Sequence, residues 1–306
     1  MKKKYKELTD DMPVLIKAIA YIATTGLALS CIIPLLLCLS ISFTDEETLG
    51  LYGYKFIPLK FSTQAYRYIF ENGSQIWRAY GVTLVVMIMG IIIGLLIMSL
   101  FAYAVTRPNF PWKNQFSFFS YFTMLFNGGM VSSYIINTTV YHLRDTIWIL
   151  ILSGCVSAYN IILMRTYMKN SIPNEILESA AVDGASETRR FFQFALPMSV
   201  PMLATIALFM AVGYWNNWNT GMLYIIKNTN LSPIQLVLKR IENNIDFLAS
   251  AEQNMSGSDL DKIRQTVPSE SFRMALTIMV ALPMVVSYPF FQRFFISGIT
   301  VGAVKG

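Results

Sequence analysis

Six long runs of apolar residues constrain this chain more than any other feature. A membrane-crossing helix needs about 20 predominantly apolar residues. Hydrophobic residues make up 54% of the 306 residues and charged residues only 14%, whereas a soluble domain carries about 25% charged residues. The sequence therefore predicts an all-α, polytopic membrane protein with six transmembrane helices. The predicted spans are Ala18–Phe43, Ala79–Thr106, Phe116–Val140, Ile147–Leu163, Met198–Trp218 and Phe272–Phe295.

Lysines at the start of the chain indicate how the spans are oriented. Lysine-rich flanks are typical of the cytoplasmic edge of a span, and the first span follows Lys2, Lys3, Lys4, Lys6 and Lys17. The run Ala18–Phe43 is far longer than the roughly 7–15 residues of a signal-peptide core, so we expect an uncleaved span. With six spans, both termini then lie in the cytoplasm of a bacterial cell. Three parts are expected: a cytoplasmic N-terminus at 1–17, the first transmembrane helix and an outer loop at 18–78, and a five-helix core at 79–306 that includes a cytoplasmic loop at 164–197.

Two spans contain residues that are unusual in a membrane helix. The third is interrupted by Asn127, Gly128 and Gly129, which predicts a kink or an unwound turn whose freed backbone groups are satisfied by neighbouring helices or water. The second contains Gly90 and Gly94, a GxxxG spacing for which close helix packing is a sufficient explanation.

Residues that commonly carry chemistry are sparse. Cys31, Cys38 and Cys155 all lie in apolar runs and form no CxxC pair, and His142 is the single histidine. These residues are best interpreted as structural. We therefore expect no catalytic residue, no metal site and no cofactor on this chain.

The loop at 164–197 is polar and carries its own helical pattern. Its stretch 175–197 reads EILESAAVDGASETRRFFQFALP. Pro173 and Glu175 suit the first turn of a helix, because proline has no N–H to satisfy there and a carboxylate favours the positive helix end. The 3.6-residue period then gives a face of small residues that another protein can approach closely: Leu177, Ala180, Ala181 and Gly184.

Residues that typically end or begin a helix divide this loop into two short helices. Gly184 predicts the end of the first helix, and Ser186 predicts the N-cap of a second helix that runs to about Ala195, before Pro197. An amphipathic loop lying on the membrane surface is the main alternative. A DNA-binding helix-turn-helix is less favoured, because the first helix is acidic and both ends join membrane spans.

The loop resembles the EAA motif of ABC importer permeases, E-A-A-x3-G-x9-I-x-L-P. Two positions depart mildly from that pattern, since Ser179 replaces Ala and Phe194 replaces Ile. The spacing is matched without gaps, and we call residues 164–197 the EAA loop. The motif positions are filled, in order, by Glu178, Ser179, Ala180, Gly184, Phe194, Leu196 and Pro197.

Other stretches resemble the carbohydrate-uptake branch of these permeases, which contains the maltose permease subunits. The resemblance covers most of the chain from about residue 80 and extends to the LplC-like or YtcP-like subgroup associated with complex oligosaccharides. The stretches that carry it are FNGGM (126–130), SAYNIILMRTYMKNSIP (157–173), VGYWNNW (212–218) and GITVGAVKG (298–306).

The resemblance implies a type I ABC importer permease fold with a cytoplasmic coupling helix in the EAA loop. It implies a pore formed with a second homologous permease subunit, two ATPase subunits that bind Mg-ATP, and an extracellular sugar-binding lipoprotein. Residues 79–306 would form the permease core. The residues implied to couple this chain to the ATPase are Glu178, Ser179, Ala180, Asp183, Gly184, Leu196 and Pro197.

The source of energy separates this interpretation from its alternatives. No GxxxxGK[ST] phosphate-binding loop occurs in the sequence, so ATP hydrolysis is expected on a partner. An ion-coupled secondary transporter is the alternative, but it usually needs intramembrane acids or internal repeats, and the six spans contain no Asp or Glu. An integral membrane enzyme would need a convergent set of acids, His or Cys, whereas Glu175, Glu178, Asp183 and Glu187 are clustered only in the EAA loop.

Aromatic rings and amides occur together at the outer end of the fifth span. Rings stack on apolar sugar faces, and amides bond to hydroxyl groups. An interfacial aromatic belt is the alternative for Trp218, and bonding between helices is the alternative for Asn127. The loop at 219–271, which includes polar residues 251–262, is a candidate contact for the binding protein. The substrate-pathway candidates are Tyr214, Trp215, Asn216, Asn217, Trp218 and Asn127; the first five form what we call the YWNNW segment (residues 214–218).

Overall fold

The computed structural model describes residues 13–252 and 270–302. Over these ranges it is built from helices, and one isolated antiparallel bridge joins Thr44 to Phe61. The all-α prediction is confirmed, while most of the predicted segments 1–17 and 251–262 lies outside the described residues. The helices are α1 (Val14–Ser42), α2 (Glu46–Tyr52), α3 (Gln64–Asn72), α4 (Ser74–Thr106), α5 (Lys113–Leu125), α6 (Gly129–Ile135), α7 (Ile147–Leu152), α8 (Ala158–Ser171), α9 (Asn174–Val182), α10 (Glu187–Arg190), α11 (Leu196–Met198), α12 (Val200–Trp215), α13 (Asn219–Tyr224), α14 (Ile234–Glu252) and α15 (Glu270–Gly302), with π-helical turns at Ile136–Val140 and Phe191–Ala195 and a 3-10 turn at Thr229–Leu231.

Long apolar helices account for the first, second and sixth predicted spans. By length and composition, three helices of the described chain can cross a membrane: α1, α4 and the part of α15 over Glu270–Ser287. The fifth predicted span, Met198–Trp218, coincides with the second helix of a bent pair, Glu187–Met198 and Val200–Trp215, which meet at 76° and count as a fourth span when taken together. The first helix of that pair belongs to the predicted cytoplasmic loop. The bend falls at Ser199, just before Pro201 in the first turn of α12.

The third predicted span is broken where the sequence placed a break. Helix α5 ends at Leu125 and α6 begins at Gly129. The Asn127 side-chain carbonyl accepts the Gly129 N–H at 2.7 Å, and Gly129 has φ +84°, a conformation that favours glycine. The interruption is therefore a local turn closed by the Asn127 amide.

The fourth predicted span, Ile147–Leu163, was expected as one helix, and the structure divides it between α7 and α8 across residues 153–157. Beside this division, the buried Ile151 carbonyl accepts the Tyr214 hydroxyl at 2.5 Å. A side chain from a distant helix thus satisfies a backbone group at the break. The local sequence of the fourth span does not predict this hydrogen bond.

The chain forms two compact units, of which the first comprises, among described residues, 13–72, 244–252 and 270–280. Phe43 stacks on Phe61 and Tyr66, with ring centroids 5.3 Å and 4.8 Å apart. The Glu46 carboxylate accepts the backbone N–H groups of Glu270 at 2.9 Å and Ser271 at 3.1 Å. A carboxylate is stabilising at this positive helix end, so Glu46 caps α15.

The second unit comprises residues 73–243 and 281–302 of the described chain, and its core surrounds α4. Helices α8 and α12 pack against α4, and the buried side chains include Met98, Met164 and Ile206. A Cβ added at Gly90 would overlap the Tyr214 ring. The close packing expected of the GxxxG spacing is therefore present at Gly90.

Candidate functional site

Helix α9 of the EAA loop begins and ends as its sequence predicts. It starts at Asn174, directly after Pro173, and carries Glu175 in its first turn. At its end Gly184 adopts φ +81°. The Ala185 N–H donates to the Ala180 carbonyl at 2.9 Å and the Gly184 N–H donates to the Ala181 carbonyl at 3.0 Å. This pair of bonds is the Schellman motif, which requires the left-handed residue that glycine supplies.

The second half of the EAA loop is more irregular than predicted. The Ser186 hydroxyl accepts the Arg189 N–H at 3.3 Å, which confirms Ser186 as an N-cap. The expected single helix to Ala195 is instead the short α10 followed by the π-helical turn Phe191–Ala195 and α11. The chain therefore continues through Pro197, at the first turn of α11, before bending at Ser199.

The small-residue face of α9 is divided between the interior and the surface. Leu177 is 1% exposed and Ala180 is 5% exposed, so these two side chains pack inside the chain. The expectation that the whole face stays open to another protein is wrong for them. The reason is that α9 needs an apolar contact of its own, and Leu177 joins the same buried cluster as Phe191.

The surface that α9 offers to a partner is consequently narrow and mixed in character. Glu178, Ser179, Asp183 and Gly184 are exposed. Val182, between them, is 89% exposed. The exposed face thus combines the carboxylates of Glu178 and Asp183 with the apolar Val182 side chain and a glycine that presents bare backbone.

A hydrogen-bond network fastens the EAA loop to the end of α4. The Glu187 carboxylate accepts the Tyr103 hydroxyl at 2.8 Å and pairs with Arg190 at 2.7 Å. The Tyr103 ring packs edge-on against Phe191 with centroids 5.3 Å apart. Sequence reasoning missed this network because Tyr103 and Glu187 are 84 positions apart and neither belongs to a recognisable motif.

In the YWNNW segment the two rings of α12 are buried. Tyr214 is 5% exposed and Trp215 is 3% exposed. The Tyr214 ring lies against Gly90 and Gly154, and its hydroxyl is donated to Ile151. Tyr214 is therefore held on three sides by its own chain, and its role in a sugar pathway stays a prediction that this packing does not favour.

The amides of the same segment differ from one another. The Asn217 side chain accepts the Thr220 N–H at 3.0 Å and donates to the Thr220 hydroxyl at 2.9 Å, so it caps α13. Asn216 is exposed, and its carbonyl accepts the Gln235 amide at 3.3 Å. Trp218 is 38% exposed. Asn216 and Trp218 are the two residues of the segment that remain accessible to a ligand.

A further anchored loop was not predicted from the sequence. The Asp145 Oδ1 atom accepts three backbone N–H groups, from Ile226 at 2.7 Å, Lys227 at 2.8 Å and Asn228 at 3.2 Å. Partial loss of water raises the pKa of the Asp145 carboxyl, but these three bonds, together with nearby Arg144, outweigh that effect and the pKa lies below its ordinary value. Asp145 therefore clamps the turn that follows α13.

Comparison with known proteins gives an independent view of the chain. Residues 90–301 match the family described as the binding-protein-dependent transport system inner membrane component. The chain is 33% identical, over 279 residues, to the polygalacturonan/rhamnogalacturonan transport system permease protein YtcP of Bacillus subtilis (strain 168), covering 91% of this chain and 94% of YtcP. It is 31% identical, over 281 residues, to Protein LplC of the same organism, covering 92% of each. A crystal structure of a bacterial ABC transporter involved in the import of the acidic polysaccharide alginate is similar with a TM-score of 0.79 and 25% identity, covering 92% of this chain and 96% of that one.

Proposed function

The chain belongs to the family of binding-protein-dependent transport system inner membrane components, and on that premise we propose that it is one of two permease subunits of an ATP-driven oligosaccharide importer. The family consists of transport permeases rather than enzymes, and its members are multi-pass membrane proteins. The expected resemblance to carbohydrate permeases is confirmed by YtcP and LplC. The ion-coupled alternative has no such support.

The proposed assembly has a defined division of labour. A second homologous permease completes the pore, and two ATPase subunits that bind Mg-ATP dock on the EAA loop. An extracellular sugar-binding lipoprotein delivers the cargo. In this arrangement the EAA loop and both termini lie in the cytoplasm, as the lysine asymmetry of the sequence indicates.

One observation carries the proposed coupling role, namely the way α9 is mounted. Buried Leu177 and Ala180 fix the helix from within, while Val182 projects at 89% exposure between Glu178 and Asp183. Fully burying a valine side chain contributes about 1.5–3 kcal/mol, and the carboxylates can form charge-assisted hydrogen bonds with basic groups of a partner. A partner that covers this face is stabilised both by burial of Val182 and by hydrogen bonds to the carboxylates.

The proposed cargo carries carboxylates. Both YtcP and the alginate transporter are named for acidic polymers. In the second unit, Arg78 bonds to Asn230, and Arg240 bonds to Ser232 and the Ile225 carbonyl. Among the described residues, Arg78 forms no ion pair with a carboxylate. Its positive charge, together with that of Arg240, supports a uronate-containing oligosaccharide over a neutral one.

The coupling proposal is tested by exchanging apolar for charged residues on matched surfaces. Val182→Asp places a charge on the proposed docking face, and Leu51→Asp places one on α2, where Leu51 is 71% exposed. In cells that express the complete transporter, Val182→Asp should lose the co-purifying ATPase and oligosaccharide-stimulated ATP hydrolysis. Leu51→Asp should retain both. If Val182→Asp also retains both, the EAA loop is not the docking site.

A further inference from the structure

A cleft of about 370 Å³ opens where α4 meets the EAA loop. One end is lined by Leu100 and Ala104, in the last two turns of a helix apolar enough to cross a membrane. The other end is lined by Arg107, Glu187 and Thr188. The cleft therefore runs from membrane depth to a charged rim.

The charge of Arg107 is not compensated at this rim. Its guanidinium lies over the Tyr103 ring at 4.6 Å and donates to the Thr106 hydroxyl at 3.3 Å. Its Nε atom is buried without a hydrogen-bond partner, and no carboxylate among the described residues pairs with it. Glu187 lies in the same cleft, but its two oxygens bond to Tyr103 and Arg190 rather than to Arg107.

The occupant that satisfies this cleft must be both apolar and anionic. A free phosphate would leave the Leu100 end empty, and a neutral lipid would leave Arg107 unpaired. We propose that the cleft binds an anionic phospholipid from the leaflet on the EAA-loop side, with its phosphate at Arg107 and an acyl chain at the Leu100 end. Arg107 follows directly after the last residue of α4, Thr106, and a guanidinium can hold two phosphate oxygens at once.

Such a lipid would stabilise the attachment of the EAA loop through the Tyr103 ring. Arg107 stacks on Tyr103, and Tyr103 in turn bonds to Glu187 and packs on Phe191. A headgroup that fixes Arg107 therefore steadies the contact that fastens the loop to α4. The inference rests on the membrane insertion of α4 and goes beyond the transport function, because lipid binding is measured without cargo or ATP.

The test compares lipid binding by the delipidated, purified transporter. Phosphatidylglycerol and phosphatidylcholine with identical acyl chains are titrated, and bound lipid is counted by native mass spectrometry. The wild type should bind phosphatidylglycerol at least about tenfold more tightly at this site. Arg107→Gln should remove that binding event, and Arg107→Lys, which keeps the charge but loses the planar donor pair, should weaken it. Size-exclusion profiles establish that both variants are folded.

Two controls separate a specific site from general attraction. Lys113→Gln removes one positive charge from the first residue of α5, close to Arg107 in the sequence, but Lys113 does not line the cleft. It should weaken binding by no more than the about fivefold that one basic residue near an anionic surface contributes. The proposal is overturned if both variants lose equally, if inorganic phosphate displaces the lipid at equal concentration, or if Arg107→Gln loses the ATPase while lipid binding is unchanged.

Discussion

The EAA loop and the YWNNW segment both place polar residues beside long apolar runs, and the chain treats them in opposite ways. In α9 of the EAA loop Leu177 and Ala180 turn inward, while Glu178, Val182 and Asp183 are exposed. In the YWNNW segment the rings of Tyr214 and Trp215 turn inward and one amide, Asn217, is used as a helix cap. The EAA loop thus leaves its charged residues at the surface, whereas the YWNNW segment uses most of its residues for contacts within the chain.

This difference shows what a polar residue near a membrane does and does not indicate. An amide or hydroxyl within apolar surroundings must find a partner, because an unsatisfied polar group there costs several kcal/mol. Tyr214 and Asn217 find theirs within this chain. A motif of charged residues in a loop has no such need, so its exposure is better evidence of a docking surface.

The largest effect is expected when aspartate replaces Gly184, one of three exposed left-handed glycines of the described chain, with Gly53 as the matched comparison. Gly184 (φ +81°) and Gly53 (φ +68°) each have no neighbouring atom within 4 Å of an added Cβ. The backbone strain of Gly184→Asp and Gly53→Asp is therefore similar within the chain. Overpacking a fitted contact costs about 1–3 kcal/mol, so Gly184→Asp should weaken ATPase docking about five- to 150-fold.

Co-purification of the ATPase measures this prediction, and Gly53→Asp is its control. Equal loss in both variants would attribute the effect to backbone strain. If both variants retain the ATPase, the exposed face of the EAA loop is not a docking surface, and it does not differ from the YWNNW segment in this way.

The second prediction concerns the glycines of α4, since only Gly90 faces Tyr214. Gly90→Ala should destabilise the protein by about 1–3 kcal/mol, because the new methyl group overlaps the ring. Gly81→Ala meets no atom within 4 Å and should stabilise the helix by up to about 1 kcal/mol. Thermal unfolding of the purified protein followed by tryptophan fluorescence measures both. Shifts of the same sign would show that Tyr214 is not held as described.

The third prediction separates the two adjacent amides of the YWNNW segment. Asn217→Ala removes the cap of α13 and should lower the free energy of unfolding by about 1 kcal/mol. Asn216→Ala should leave stability nearly unchanged but reduce uptake of labelled oligosaccharide about two- to twelvefold, the loss of one hydrogen bond to cargo. Reversal of these two outcomes would assign the cargo role to Asn217 instead.

The smallest effect is expected at Asp145 and depends on pH. Because the pKa of the folded carboxyl lies below that of the unfolded chain, its stabilisation is present above the unfolded pKa and is lost as pH falls through the folded pKa. Asp145→Asn should therefore lower the unfolding temperature at pH 7 and show a smaller further loss than wild type on acidification below about pH 4. Parallel pH curves would show that the three backbone bonds do not depend on the carboxylate.

The sequence was sufficient for those features that are encoded locally. The αL position of Gly184, the N-cap at Ser186 and the break at Asn127–Gly129 all follow from short-range backbone rules, and each is present. The long spans follow from apolar run length in the same way.

Features that depend on distant partners could not be predicted. The division of the fourth span involves a hydroxyl from Tyr214, 63 residues further on. The inward turn of Ala180 depends on the packing beneath α9, because periodicity identifies a face but not what the face meets. The Tyr103–Glu187 bond has the same origin, since two ordinary residues become significant only when the fold brings them together.

The 76° bend at Ser199 joins the end of the EAA loop to α12 at a sharp angle. The Ser199 side chain is fully buried and its hydroxyl donates to the Ala195 carbonyl at 2.8 Å, so the pivot is fixed to the segment that precedes it. Helix α12 has 16 residues and is therefore about 24 Å long. A rotation of about 10° at the pivot would carry the Trp215 end of that arm through about 4 Å. A tilt of this size imposed at the EAA loop would thus become a displacement of several ångströms at the opposite end of α12.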